Sequence, residues 1–196
     1  MPRVAKIKSV SPPKRFMAID ASTNSAAFAI YSNGKISKYG KVKFNGHNIN
    51  EKLKDIAHKS LGVFAGLPSD MPIVIEDTIF TNSHNTAAQL AKAQGALLAG
   101  AFLSGATEAF SVSPIAWQSY IGTRLLTPEE KRAIRKQYPA KSAAWYKAKE
   151  RDIRKHRTID TVNARFGLSL NDDDIADAIG ILMYAEQNWG RLTSHK

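Results

Sequence analysis

Phe16-Met17-Ala18-Ile19-Asp20 is a short apolar run that ends in a carboxylate. Four apolar residues just past Pro12-Pro13 read as a buried strand, and Asp20 stands at its end. Ala26 to Tyr31 reads as a second strand. Asn33-Gly34 is a strong hairpin signal, so Lys35 to Phe44 forms a third. Further along, Ile73-Val74-Ile75 is the β-branched run expected inside a covered parallel sheet, and it ends in Glu76. Ala109 to Val112 is another short strand.

Helices fill the gaps. Asn50 to Phe64 carries Leu53, Ile56, Ala57, Leu61 and Phe64 at helical spacing. Residues 84–104 form a long helix with Leu90, Leu97, Leu98 and Phe102 on one stripe, and Gly95 is the expected point of close packing. Pro114 starts a helix through Tyr120. Thr127-Pro128-Glu129-Glu130 is a capping-box start, and Pro139 interrupts the helix it opens. Residues 123–150 read as helical pieces in a basic, aromatic-bearing excursion, with a helix resuming near Arg151 and stopping at Gly167. The last helix spans Asp172 to Asn188, with Ile175, Ile179, Leu182 and Met183 inward. This order predicts an α/β fold, a mixed sheet with helices on both faces.

The 196 residues suit one domain, which we place at 16–190, between a basic arm at 1–15 and a tail at 191–196. No apolar run reaches the roughly 18 residues that span a bilayer. The basic first 19 residues lack an apolar segment, so no secretory signal is expected. With no cysteine, disulfides, thiolate zinc sites and cysteine nucleophiles are excluded. The net charge of +11 is uneven. Residues 131–165 hold twelve Lys and Arg against three Asp and Glu, and residues 1–19 hold five basic groups and no acid. A basic arm and a basic segment around a mildly acidic body point to a polyanion, most often nucleic acid.

Within that body four carboxylates carry the chemistry. Asp20 and Glu76 end strands, and Asp174 and Asp177 lie at i,i+3 on one face of a helix start. Taken singly, Asp20 reads as a turn residue and Asp172, Asp173 and Asp174 as N-caps. Together they form a set whose charge two divalent ions would balance, the arrangement used in phosphodiester hydrolysis. Oxygen ligands favour Mg²⁺ or Mn²⁺ over zinc. The five histidines lie on different elements, none paired at metal spacing. Lys131, Arg132, Arg135 and Lys136 form a basic helical patch which, with Trp145, Tyr146, Lys147 and Lys149, could grip phosphates and stack on bases.

Asp20 with Ser22 and Asn24, Ile75-Glu76 followed by Ala91-Lys92-Ala93-Gln94-Gly95, and the late Asp174-Ile175-Ala176-Asp177-Ala178 resemble the RuvC-like Holliday junction resolvases of the RNase H-like superfamily. The resemblance covers roughly residues 16–122 and 150–187, and the enlarged middle looks most like the bacteriophage branch. It implies a five-stranded RNase H-like sheet, a tetrad of Asp20, Glu76, Asp174 and Asp177 holding two Mg²⁺, and a homodimer. That dimer would cut opposed strands of a four-way junction and leave 5′-phosphate ends, in the cytoplasm of a bacterial host. The sequence departs from the family twice. Ile79 stands where relatives carry a stacking aromatic, which gives Phe80 the wedge role, and Trp117 stands where they carry a lysine. A second family lysine corresponds to Lys149, Arg154 or Lys155. Weak sequence selectivity, extending to other branched DNA, is the expected consequence. The alternatives are a nuclease acting on RNA–DNA hybrid or transposon ends, and a non-catalytic binder of DNA structures. An actin-like or sugar-kinase-like ATPase ranks below these, since no second phosphate loop is present.

Overall fold

The computed structural model describes residues 10–78 and 83–194. Three antiparallel strands open it: β1 (Arg15–Ala21), β2 (Ser25–Ser32) and β3 (Lys35–Lys43). The β2–β3 turn places Asn33 at φ 49° and Gly34 at φ 85°, the left-handed pair that a tight hairpin matched to strand twist requires. After α1 (Ile49–Phe64), β4 (Ile73–Glu76) pairs parallel with β1; after α2 (His84–Leu103), β5 (Ala109–Val112) pairs parallel with β4. The five-stranded sheet therefore runs β3-β2-β1-β4-β5, the mixed sheet expected from the sequence.

Strand alternation divides the core in two. Met17, Ile19, Ile73 and Ile75 face α1 and α2, where Ile56, Phe64, Leu97 and Ala101 meet them. Phe16, Ala18, Ala27 and Val74 face the other way, toward α3 (Pro114–Tyr120) and the long α6 (Asp173–Thr193). Each fully buried large apolar side chain contributes roughly 1.5–3 kcal/mol. The carboxylates Asp20 and Glu76 alternate onto the α6 side, because Ile19 and Ile75 point to the opposite layer.

Three expectations are corrected. The α1–α2 close approach is at Gly100, where a Cβ would stand 2.0 Å from Ser60 Oγ, whereas Gly95 faces open space. The buried stripe of α2 accordingly follows Ala93, Leu97, Gly100 and Ala101, and leaves Phe102 exposed. The helix expected from Arg151 begins eight residues earlier, as α5 (Ala143–Phe166), because the Ser142 side chain accepts from the Trp145 amide and caps it. The capping box Thr127–Glu130 starts α4 (Pro128–Gln137) as expected, and Gly167 ends α5 in the left-handed region. The last helix continues past Asn188, which leaves helical geometry (φ −120°, ψ 24°), to bury Trp189 against Phe16. No helix among the described residues is long and apolar enough to cross a membrane. Phe80 and residues 1–9 of the basic arm lie outside the described residues.

Candidate active site

Sheet register brings the first two carboxylates together. Parallel pairing sets Ile19 opposite Ile75, so Asp20 and Glu76, one residue on, lie on adjacent strands on the α6 face. The N-terminus of α6 comes down over them. Asp172 caps that helix, its Oδ1 accepting from the Ile175 amide at 3.1 Å. Asp174 and Asp177 then project from the first two turns at i,i+3. All four carboxylates interact. Burial, then the charges of Glu76, Asp177 and Asp174, pushes Asp20 well above the usual carboxylate range. Burial and the Glu76 charge push Asp177 up to about 7. Burial also raises Glu76, and its hydrogen bond from Trp117 works against that rise.

Two neighbours hold the ends of this set. The Trp117 indole N–H donates to Glu76 Oε2 at 2.6 Å. Trp117 is 1% exposed, and its ring fits because α6 carries Gly180 there; a Cβ at that position would meet the ring at 2.8 Å. The Glu76 backbone carbonyl accepts from Gln94 Nε2 at 2.9 Å, so α2 fixes the strand end as well. At the other end, Lys41 Nζ lies 2.6 Å from Asp174 Oδ2 and 3.1 Å from Asp172 Oδ2, and Ser25 Oγ donates to Asp174 Oδ2 at 3.2 Å. Burial opposes a charge on Lys41, yet the bonds to Asp174 and Asp172 hold its ammonium above the ordinary value. Burial would likewise raise Asp172, but the Ile175 amide and Lys41 outweigh it and hold that carboxyl low. Lys155 of α5 pairs with Asp173, and its charge also acts on Asp20 and Asp177.

Among the described residues, no three His, Asp or Glu side chains close to metal-ligand spacing. Glu76 is bonded to Trp117, and Asp174 to Lys41 and Ser25. The donor set still fits a divalent cation. It offers only carboxylate oxygens, and at the half-buried Asp20 and Asp177 the Lys155 charge works against the rise in pKa.

No protein-family model and no curated sequence matches the chain. Solved structures do. Thermus thermophilus RuvC in complex with a Holliday junction substrate is 16% identical and superposes over 93% of this chain and 98% of its own, with a TM-score of 0.63. A second structure of T. thermophilus RuvC covers 89% of this chain and 95% of its own, at 16% identity and a TM-score of 0.59. The chain has the RuvC fold.

Within the RuvC fold, the basic segment lies on α4 and α5 and divides into cations engaged away from the carboxylates and cations that stand beside them. Lys131 binds Glu150 at 3.0 Å, Arg132 binds Glu129 at 2.8 Å and Lys149 binds Asp152 at 3.0 Å. Arg135 sits over the Tyr146 ring at 5.6 Å. Tyr138, Trp145 and Tyr146 are half-buried against one another at the junction of the two helices, not presented as a flat stacking surface. By contrast, Arg151, Arg154 and Lys155 line a cavity of about 160 Å³ with Asp177 in its wall. A groove of about 450 Å³ shares Arg151 and Arg154 and continues past Lys147 to Leu125. Of the residues expected to contact DNA, Arg154 and Lys155 therefore stand beside the carboxylates, while Lys131, Arg132 and Lys149 are engaged elsewhere. The sequence reading missed Arg151, which lines the same cavity as Asp177. Its signal was helical spacing, since Arg151, Arg154, Lys155 and Thr158 share one side of α5 once that helix is known to be continuous.

Proposed function

We propose that this chain is a structure-selective endonuclease that resolves four-way DNA junctions by paired nicks. The observation that carries the reading is the convergence of Asp20, Glu76, Asp174 and Asp177 on one face of a RuvC fold, beside a cationic cavity. The solved relative with a Holliday junction substrate makes that substrate class the first to try. The four carboxylates would hold two Mg²⁺, with Mn²⁺ able to substitute. When bound, such ions supply an activated water and neutralise charge on the leaving oxygen of a phosphodiester.

The chain's own residues do the rest. Trp117 fixes the rotation of the Glu76 carboxylate through its Oε2. Arg151, Arg154 and Lys155 grip the phosphate next to the one attacked, and the groove toward Lys147 carries the strand onward. These contacts address the backbone, which agrees with weak sequence preference. A homodimer would set two such sites about a twofold axis, matching the two symmetric strands of a junction and leaving 5′-phosphate ends a ligase can seal.

The deciding experiment offers a synthetic four-way junction, a flap, a Y-fork and an RNA–DNA hybrid in Mg²⁺. Paired symmetric nicks in the junction are expected, with Asp20→Asn still binding it but losing cleavage by at least about a hundredfold. Preferred cutting of the hybrid would move the chain to a ribonuclease H-like activity. Full cleavage by Asp20→Asn would remove the tetrad from the chemistry.

A further inference from the structure

The cross-strand register places one more charged residue on the carboxylate face. Asp20 of β1 pairs with Ala27 of β2, and Ala27 pairs with Lys41 of β3, so the three side chains form one row. Ala27 is fully buried and small, which leaves room for the Lys41 side chain to reach along the row to the start of α6. There its ammonium bridges Asp174 Oδ2 at 2.6 Å and Asp172 Oδ2 at 3.1 Å. Asp174 Oδ2 also accepts from Ser25 Oγ, so both lone pairs of that oxygen are engaged. The two carboxylates bound by Lys41 are not equivalent. Asp172 is the helix cap and is tied to the Ile175 amide, whereas Asp174 Oδ2 is held by the side chains of Lys41 and Ser25.

We propose that Lys41 is the resident counter-ion of Asp174, which a divalent cation must displace, and that Asp172 holds the displaced ammonium. The inference rests on Asp174 being a metal ligand, as put forward above. Lys41 then sets how tightly this side of the carboxylate set takes a metal. It keeps part of the negative charge compensated when the metal is absent, and it competes with the metal for the same oxygen. Removing the lysine should tighten binding. Removing Asp172 should loosen it, because the ammonium then has only Asp174 to bind.

The test uses the full chain without DNA. Mn²⁺ affinity is measured by titration calorimetry, and thermal stability is followed in EDTA and in saturating Mn²⁺. Lys41→Gln is expected to bind Mn²⁺ about tenfold tighter than the wild type, to melt lower in EDTA and to regain that loss in Mn²⁺. Lys41→Arg keeps the charge and should track the wild type. Asp172→Asn still caps α6 and should bind Mn²⁺ more weakly, the opposite sign, which keeps the test open even if Lys41→Gln folds poorly. Unchanged or weaker affinity in Lys41→Gln, or unchanged affinity in Asp172→Asn, overturns the exchange while leaving the metal site standing. No Mn²⁺ binding by any of the four proteins overturns the metal site and the exchange together.

Discussion

Glu76 and Asp174 stand at opposite ends of the same carboxylate set and are held by opposite means. Glu76 accepts from an indole N–H that is almost wholly buried, in a slot that Gly180 leaves open. Asp174 accepts from an ammonium whose side chain is 20% exposed. A neutral donor orients a carboxylate without cancelling its charge, so it can stay in place when a cation arrives. A charged donor cancels the charge and must give way. The Trp117 end is thus a fixed wall and the Lys41 end an exchangeable one.

The largest break in this comparison is at the wall. Trp117→Ala should cost about 3–5 kcal/mol through the cavity it leaves. Trp117→Phe keeps most of the ring but leaves Glu76 without its donor, a loss of about 1–3 kcal/mol. Gly180→Ala presses a methyl into the ring from the other side and should cost about 1–3 kcal/mol. Urea unfolding in EDTA orders the three, and Trp117→Phe should also weaken Mn²⁺ binding, where Lys41→Gln strengthens it. Equal behaviour of the two variants toward Mn²⁺ would erase the distinction between the ends.

The middle of the set gives a pH signature. Asp177 is raised from 3.8 to about 7, so between those values the folded protein holds a proton that the unfolded chain has released. Unfolding free energy then falls as pH rises through that window and levels off above it. Asp20 shifts in the same direction, and the carboxylates titrate as a set. Asp177→Asn should remove much of this slope and make the metal-free protein more stable above pH 7, by on the order of 2 kcal/mol. Melting temperature against pH, in EDTA, reads it. A variant less stable than the wild type at high pH would mean that Asp177 is supported by its neighbours, not strained by them.

The strands and the four acids were legible in the sequence because each signal is local. An apolar run ending in an acid shows both the burial of the strand and the placement of the carboxylate, as Ile73-Val74-Ile75-Glu76 does. The two holders were not legible, for a physical reason. Lys41 meets Asp174 only through a three-strand register and a helix more than a hundred residues away, and no local pattern encodes that contact. Trp117 stood out only as a departure from the family lysine, and its indole reaches Glu76 because α6 carries Gly180 where the ring packs. The start of α5 was hidden differently. The apolar residues Ala143, Ala144, Trp145 and Tyr146 are consecutive and mark no helix face, so the Ser142 cap was the local sign of it.

The smallest effect is also the most specific. A half-exposed ion pair contributes about 1 kcal/mol and is screened by salt, whereas a buried neutral hydrogen bond is not. Two double-mutant cycles in EDTA separate them: Lys41→Gln with Asp174→Asn, and Trp117→Phe with Glu76→Gln. The coupling in the first should shrink as salt is raised, because ions from solution take over the neutralising role of Lys41. The coupling in the second should stay constant, because salt does not reach a contact sealed between α3 and α6. If both couplings fall together, Trp117 is more accessible than its packing indicates. If neither falls, Lys41 is held as firmly as Trp117 and cannot be the exchangeable end.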